Sequence, residues 1–161
     1  MALRKTTVDT LVHDYGRIRV YRDDLAEMVK VLRDVASNCH LRADDYELDD
    51  VDDLSQLADK GITRVVDFVF SADGNRVGLS VNKRRALLAV REPDLIWRGA
   101  AAEVERIAKR CGGPRLAASV DTRTRAEAPT FWSRKKDDIL IAVASGAIFL
   151  VLGFVLGRLY A

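Results

Sequence analysis

Residues 65–90 read VVDFVFSADGNRVGLSVNKRRALLAV, and this stretch decides the fold class. Apolar side chains recur at every second position in three successive runs, which is the period of a half-buried β-strand. Asp73 and Gly74 separate the first two runs and are typical of a hairpin turn, and residues 83–85 make a second turn. We therefore expect an antiparallel meander with one apolar face that other elements must cover.

Two amphipathic segments are predicted to cover that face. Apolar residues between Leu25 and Ala36 follow the 3.6-residue period, which predicts a helix over 24–37 with Asp24 in the capping position. A second helix is predicted over 95–111, with Asp94 as its N-cap and the run Gly-Gly-Pro after Cys111 as its end. Its apolar residues keep the helical period and place Ile96 on the buried face with Ala100, Val104, Ile107, Ala108 and Cys111.

Weaker patterns complete the predicted domain. They indicate a strand at 17–21, an earlier strand at 7–12, a brief strand around Tyr46 and Leu48, and a short helix over about 50–60 that is capped by Asp49 or Asp50. The predicted fold class is α+β, a small soluble domain with an antiparallel-rich sheet covered by helices. The strand order does not follow from the sequence.

The C-terminal part of the chain has a different character. Residues 139–157 read ILIAVASGAIFLVLGFVLG and carry no charge. As a helix they would extend roughly 28 Å, close to the thickness of a bilayer's hydrocarbon core. A buried core helix is the alternative, but such helices rarely run this far with no polar residue beyond a single serine. The predicted organisation is a soluble domain over 1–113, a juxtamembrane linker over 114–137, a transmembrane helix over 138–158 and a translocated tail over 159–161.

The flanks of this span fit a membrane interface. Aromatic and cationic residues lie on both sides of it, where interfacial anchors belong. The expected interface residues are Phe131, Trp132, Arg134, Lys135, Lys136, Arg158 and Tyr160. Three cations before the span and one after it favour a cytoplasmic N-terminal side. The N-terminus has no apolar signal segment, so we expect a tail-anchored, single-pass membrane protein with its domain in the cytoplasm.

Small residues form a stripe along the predicted span. Ala142, Gly146, Gly153 and Gly157 fall within an arc of roughly 60° on a helix, and the last two form a GxxxG pair. Small residues let two helices approach closely in lipid, so this stripe predicts a homo-oligomer formed through the membrane helix. Glycine and alanine are also common in membrane helices for other reasons.

Charge and cysteine content exclude some partners. Removing the four cations and two anions of residues 134–161 from the totals of 26 and 24 leaves 22 of each, so the preceding part is formally neutral. A nucleic-acid-binding surface is therefore not expected. Cys39 and Cys111 are too few and too far apart for a zinc site and are expected to be free thiols in a reducing cytoplasm.

Several residues of the predicted domain are candidates for contacts. Lys83, Arg84 and Arg85 at a turn are either ordinary solvated charges or a contact with anionic lipid headgroups. Trp97 either packs in the core or, if exposed, marks a surface for a protein partner. Seven carboxylates lie within residues 44–53, but no frame has the glycine and glutamate that a calcium-binding EF-hand loop requires. We read this run as an acidic helix start or a contact for a basic partner.

No catalytic residue, metal ligand or cofactor site is predicted, because the chain contains none of the common catalytic or nucleotide-binding motifs. Three function classes remain. The first is a membrane-tethered binding, scaffold or regulatory module with an unknown protein partner. The second is a membrane effector that assembles through its span on sensing a signal. The third is a membrane-bound enzyme without a recognisable motif.

Overall fold

The computed structural model describes residues 9–111 and 117–128. In chain order the elements are β1 (Thr10–Gly16), β2 (Arg19–Tyr21), α1 (Arg22–Arg33), β3 (Cys39–Ala43), β4 (Tyr46–Leu48), a 3₁₀ turn (Val51–Asp53), α2 (Leu54–Asp59), β5 (Arg64–Val65), β6 (Asp67–Ala72), β7 (Val77–Asn82), β8 (Arg85–Arg91), α3 (Leu95–Arg110) and β9 (Ser119–Asp121).

An antiparallel sheet of six strands forms one layer, in the order β1-β8-β7-β6-β3-β4. The predicted meander is its centre. Asp73 and Gly74 both have positive φ in the turn between β6 and β7, which suits their residue types. The side chain of Asn82 accepts the backbone N–H groups of Arg84 and Arg85 and so closes the turn between β7 and β8. The antiparallel α+β class is therefore confirmed.

A second, smaller sheet has the order β2-β9-β5, in which β9 runs parallel to β2 and antiparallel to β5. β9 lies within residues 114–137, which we predicted to be a linker without regular structure. That prediction is wrong for this part of the chain, because every residue of β9 is buried and the compact unit extends through Arg125. Three residues are too few to show a strand period, which is why the sequence did not reveal β9.

The helix boundaries largely follow their capping residues. Asp94 accepts the N–H of Trp97 and caps α3, as predicted. Asp50 and Asp53 form a capping box at the 3₁₀ turn that leads into α2. The predicted cap of α1 is wrong: the helix begins two residues earlier, its N-cap is Tyr21 without a side-chain bond, and Asp24 instead pairs with Arg125.

One apolar core joins the large sheet to the helices and the small sheet. Alternate residues of β6, β7 and β8 are buried in it, including Phe68, Phe70, Leu79 and Leu88. The same core contains the buried faces of α1 and α3. Among residues 9–111 and 117–128, no helix is long and apolar enough to cross a bilayer. The span predicted over 138–158 lies outside the described residues.

Candidate functional site

Three successive cations at the turn between β7 and β8 are exposed to solvent. Lys83, Arg84 and Arg85 are all exposed, and Arg85 pairs with Asp14 of β1 at 3.2 Å. No hydrogen bond or ion pair engages the side chain of Lys83 or Arg84 within residues 9–111 and 117–128. With Val66, Asp67 and Asn82 these two side chains border a shallow surface depression of about 450 Å³. We call Lys83 and Arg84 the hairpin tip.

The compact unit ends at the same end of the large sheet as the hairpin tip. The N–H of Ala118, which leads into β9, donates to the carbonyl of Lys83 at 3.2 Å. Beyond β9, Arg125 donates to the carbonyl of Arg110 at 3.1 Å, and Arg110 is the last residue of α3.

The direction of α3 fixes which end this is. Near its start, Arg98 pairs with Asp9, which lies just before β1. Farther along, Glu105 pairs with His13, and Lys109 lies beside Ile18, beyond the end of β1. α3 therefore runs alongside β1 toward the end where β1 finishes, β8 begins and the hairpin tip lies.

Buried charges fasten β9 to its neighbours. Asp121 is inaccessible to solvent and pairs with Arg19 of β2 at 2.8 Å and with Arg123 at 3.0 Å. Burial alone would raise the pKa of the Asp121 carboxyl, but hydrogen bonds from Arg123 and the charge of Arg19 hold that pKa below its usual value. The buried hydroxyl of Thr122 donates to the carbonyl of Ile62 at 2.9 Å. These bonds hold β9 and the residues that follow it against β2 and the segment before β5, which the local sequence pattern does not predict.

Trp97 does not form a partner surface. Its side chain is only 3% exposed and belongs to the core, so the exposed alternative is excluded. The neighbouring residues are instead the exposed ones: Leu95 is 87% and Ile96 is 66% accessible at the first turn of α3. The helical period predicts that Ile96 lies on the buried face of α3, but in the structure that face is centred on Trp97, Ala101 and Val104. The prediction for Ile96 is therefore wrong.

A small cavity of about 290 Å³ lies between β1 and α3 and is lined by several titratable groups. Glu105 accepts from Lys109 at 2.8 Å and pairs with His13 at 3.2 Å. The bond from Lys109 is the main reason that the pKa of Glu105 lies below its usual value. The Tyr15 ring stacks on His13, and the Tyr15 hydroxyl is buried without a hydrogen-bond partner in the described structure.

This cavity was not predicted, because His13 and Glu105 are 92 positions apart and neither belongs to a motif. Burial, and then the charge of Glu105, raises the pKa of Tyr15 well above its usual value. The phenol is thus a hydrogen-bond donor at neutral pH.

The acidic run has internal structural partners. Asp44 has positive φ and accepts the N–H groups of Val66 and Asp67. Asp50 pairs with Arg33. Among the described residues, no group of three or more acidic, histidine or cysteine side chains is arranged to hold a metal ion.

The face of the large sheet opposite the core is not covered by any described helix. Its central rows carry small and apolar side chains that are half-buried between neighbouring strands. Cross-strand pairing places Val12 beside Ala89 and Gly78 in one row, and Leu87 beside Ser80 and Val69 in the next. Val12, on the edge strand, is 54% exposed. We call this surface, formed by Val12, Val69, Gly78, Ser80, Leu87 and Ala89, the open face.

The remaining predicted contact residues lie outside the described part of the chain. They are the interface residues Phe131, Trp132, Arg134, Lys135, Lys136, Arg158 and Tyr160, and the helix-contact residues Ala142, Gly146, Gly153 and Gly157. The predictions for them stay predictions.

Comparison with known proteins adds no family. No family model, curated protein or solved structure matches this chain.

Proposed function

We propose that this chain is a single-pass membrane protein whose α+β domain is a binding and scaffold module held close to the cytoplasmic face of the bilayer. The observation that carries the proposal is the uncharged run over 139–157 together with the position at which the compact unit ends. Three cations at 134–136 against one at 158 favour the cytoplasmic placement of the domain.

The tether in this proposal is short. The bonds of Arg123 and Arg125 hold the chain to the domain as far as residue 125. Twelve residues, 126–137, then separate the domain from the span. Even fully extended, these residues reach only about 40 Å. A domain on such a tether would meet partners that lie at or in the same membrane.

The partner that we propose for the open face is a second copy of this chain. The small-residue stripe of Ala142, Gly146, Gly153 and Gly157 supports pairing of two spans. Two domains on short tethers would then meet at an effective concentration of the order of millimolar. The open face is rich in small side chains, and two sheet faces can stack about 10 Å apart.

A first experiment tests the anchor and its orientation. The full chain is expressed in cells, membranes are extracted with alkaline carbonate, and a Lys30→Cys label is probed with an impermeant maleimide in a Cys39→Ser background. Lys30 is exposed on α1. We expect the chain to stay with the membrane and to be labelled only after permeabilisation. A chain that stays in the supernatant would refute the anchor, and labelling of intact cells would refute the orientation.

A second experiment tests self-association through the open face. Ser80→Cys places a thiol at the centre of that face, and Lys30→Cys is the matched control on the helical side. In membranes, a short bismaleimide should join two copies through position 80 and not through position 30. Gly153→Ile with Gly157→Ile should reduce this cross-linking. Equal cross-linking at both positions would exclude the open face as the interface.

A further inference from the structure

The geometry points to an oriented domain: we propose that the hairpin tip, Lys83 and Arg84, faces the bilayer and contacts anionic lipid headgroups. This inference rests on the proposed membrane anchor and adds the direction in which the domain stands. The charged turn at residues 83–85 already predicts a lipid contact as one of two alternatives, and two observations from the structure favour it.

The hairpin tip lies at the end of the large sheet where the chain leaves the compact unit. The chain leaves the compact unit at Arg125, beside the last residue of α3, and α3 ends where the hairpin tip lies. The Ala118–Lys83 bond places the hairpin tip directly against the segment that enters β9. A tether of twelve residues attached at this end favours the arrangement in which this end is nearer to the membrane.

Within the described residues, the hairpin tip also differs from the neighbouring cations in how its charges are paired. The cations of α3 that lie near this end are paired within the domain, Lys109 with Glu105 and Arg110 with Glu27. Arg125 is paired with Asp24. The side chains of Lys83 and Arg84 have no such partner among residues 9–111 and 117–128.

An opposing charge lies beside the hairpin tip: Asp67 borders the same depression and is about half exposed, but its carboxylate is paired with Arg42 at 3.3 Å. Asp45, in the turn between β3 and β4, is exposed at the same end of the large sheet. Asp14 is engaged by Arg85. In the strand order, β6 separates the turn between β7 and β8 from β3, which Asp45 follows.

The expected effect is orientation and not anchoring. Each cation close to an anionic membrane surface changes the population of the contacting arrangement by a factor of about five. Two such cations, added to the short tether, would select one orientation of the domain. The contact should weaken as salt is added, because charges near a membrane surface are screened within a Debye length.

The test uses the full chain in vesicles of phosphatidylcholine alone or mixed with phosphatidylglycerol. In a Cys39→Ser background, a fluorophore is attached at Thr63→Cys, exposed near the end of the domain that carries the hairpin tip, or at Ser37→Cys, exposed at the opposite end. Quenching by spin-labelled headgroups then reports the distance of each end from the bilayer. We expect stronger quenching at position 63, and a larger difference in the anionic vesicles.

Charge variants separate the contact from the tether. Lys83→Glu with Arg84→Glu should abolish the increase caused by anionic lipid. The matched control, Arg91→Glu with Arg98→Glu, changes two exposed cations at the opposite end and should leave it intact. Lys83→Gln with Arg84→Gln, which avoids added negative charge, should give the same loss.

The outcomes distinguish the two proposals. A chain that fails to float with either type of vesicle would refute the membrane anchor. A chain that floats but shows equal quenching at positions 63 and 37, in both lipid compositions, would refute the orientation and leave the anchor standing. Loss of the lipid effect in the Arg91 and Arg98 control would also overturn the assignment to the hairpin tip.

Discussion

The backbone N–H of Ala118 donates to the carbonyl oxygen of Lys83 at 3.2 Å, and this bond joins the segment entering β9 to the turn between β7 and β8. The last strand of the domain is thereby fixed against the centre of the large sheet. β9 also pairs with β2 and β5. The position at which the chain leaves the domain is therefore fixed by the packing and pairing of β9.

Asp121 should be the polar residue whose loss costs most stability. It is fully buried and pairs with Arg19 and Arg123. Replacing it with alanine removes the buried carboxylate that two partly buried guanidinium groups share, and breaking a buried ion pair typically costs about 3–5 kcal/mol. The measurement is chemical denaturation of the full chain in detergent, followed by Trp97 fluorescence in a Trp132→Phe background.

Asp14→Ala is the matched control for Asp121→Ala. It removes a carboxylate that also pairs with an arginine, but both side chains of that pair are about half exposed. Exposed ion pairs contribute about 0–1 kcal/mol. Equal losses of stability in the two variants would show that the Asp121 cluster does not hold β9 in place.

Asp121 should also make part of the domain's stability depend on pH. Its folded-state pKa is below the usual value despite burial, because Arg123 and Arg19 favour the charged form. A carboxyl with a lowered folded pKa adds stability above its unfolded pKa of about 3.9, and this contribution is lost as pH falls through the folded pKa. Denaturation midpoints measured from about pH 5 down to about pH 3 should therefore fall less steeply for Asp121→Asn than for the wild type. Parallel curves would contradict this assignment.

The sequence predicted the elements whose signals are local. The meander, its Asp73-Gly74 turn and the Asp94 cap of α3 each depend on residues within a few positions of one another, so period and turn chemistry were sufficient. β3 and β9 were missed because they are short and become strands by pairing with distant residues, such as Cys39 with Ala72 and Val120 with Val65. Such pairing overrides weak local preference.

Among the candidate surfaces, too, only those formed by residues close in sequence could be predicted. Residues 83–85 were found because a charged turn is visible in the sequence. The open face needed the register of the sheet, and the His13–Glu105 pair needed the packing of α3 against β1. Trp97 shows the limit of periodicity. The helical period predicts that its neighbour Ile96 is buried, whereas in the structure Trp97 is buried and Ile96 is exposed.

Trp97 and Leu95 should differ sharply in their effect on stability. Truncating a buried tryptophan leaves a large cavity, so Trp97→Ala should cost about 3–5 kcal/mol. Leu95 lies two positions earlier and is 87% exposed, so Leu95→Ala should change stability by less than about 0.5 kcal/mol. Denaturation followed by far-ultraviolet circular dichroism compares both without relying on tryptophan fluorescence. Similar losses of stability in the two variants would contradict the burial of Trp97 and the exposure of Leu95.

The two cysteines should react at very different rates. Cys111 is buried at the end of α3, and burial, with a smaller contribution from Asp24, raises the pKa of its thiol to about 12. Cys39 is partly exposed in β3. Maleimide at neutral pH should label Cys39 alone in the native chain and both thiols after denaturation, as read by mass spectrometry of the digested protein. Rapid native labelling of Cys111 would mean that the last turn of α3 opens readily.

Tyr15→Phe should leave the domain as stable as before or slightly more stable. The Tyr15 ring packs on His13 with centroids 6.2 Å apart, and phenylalanine retains that contact. The hydroxyl that it removes is buried without a hydrogen-bond partner in the described structure, and an unsatisfied buried donor costs about 1–3 kcal/mol. Tyr46→Phe is the control, because Tyr46 is 41% exposed and its ring lies beneath Lys60. The free energy of unfolding of Tyr15→Phe should equal or exceed that of the wild type. A decrease of more than about 1 kcal/mol would show that the hydroxyl is hydrogen-bonded in solution, to water or to a ligand in the cavity beside Glu105.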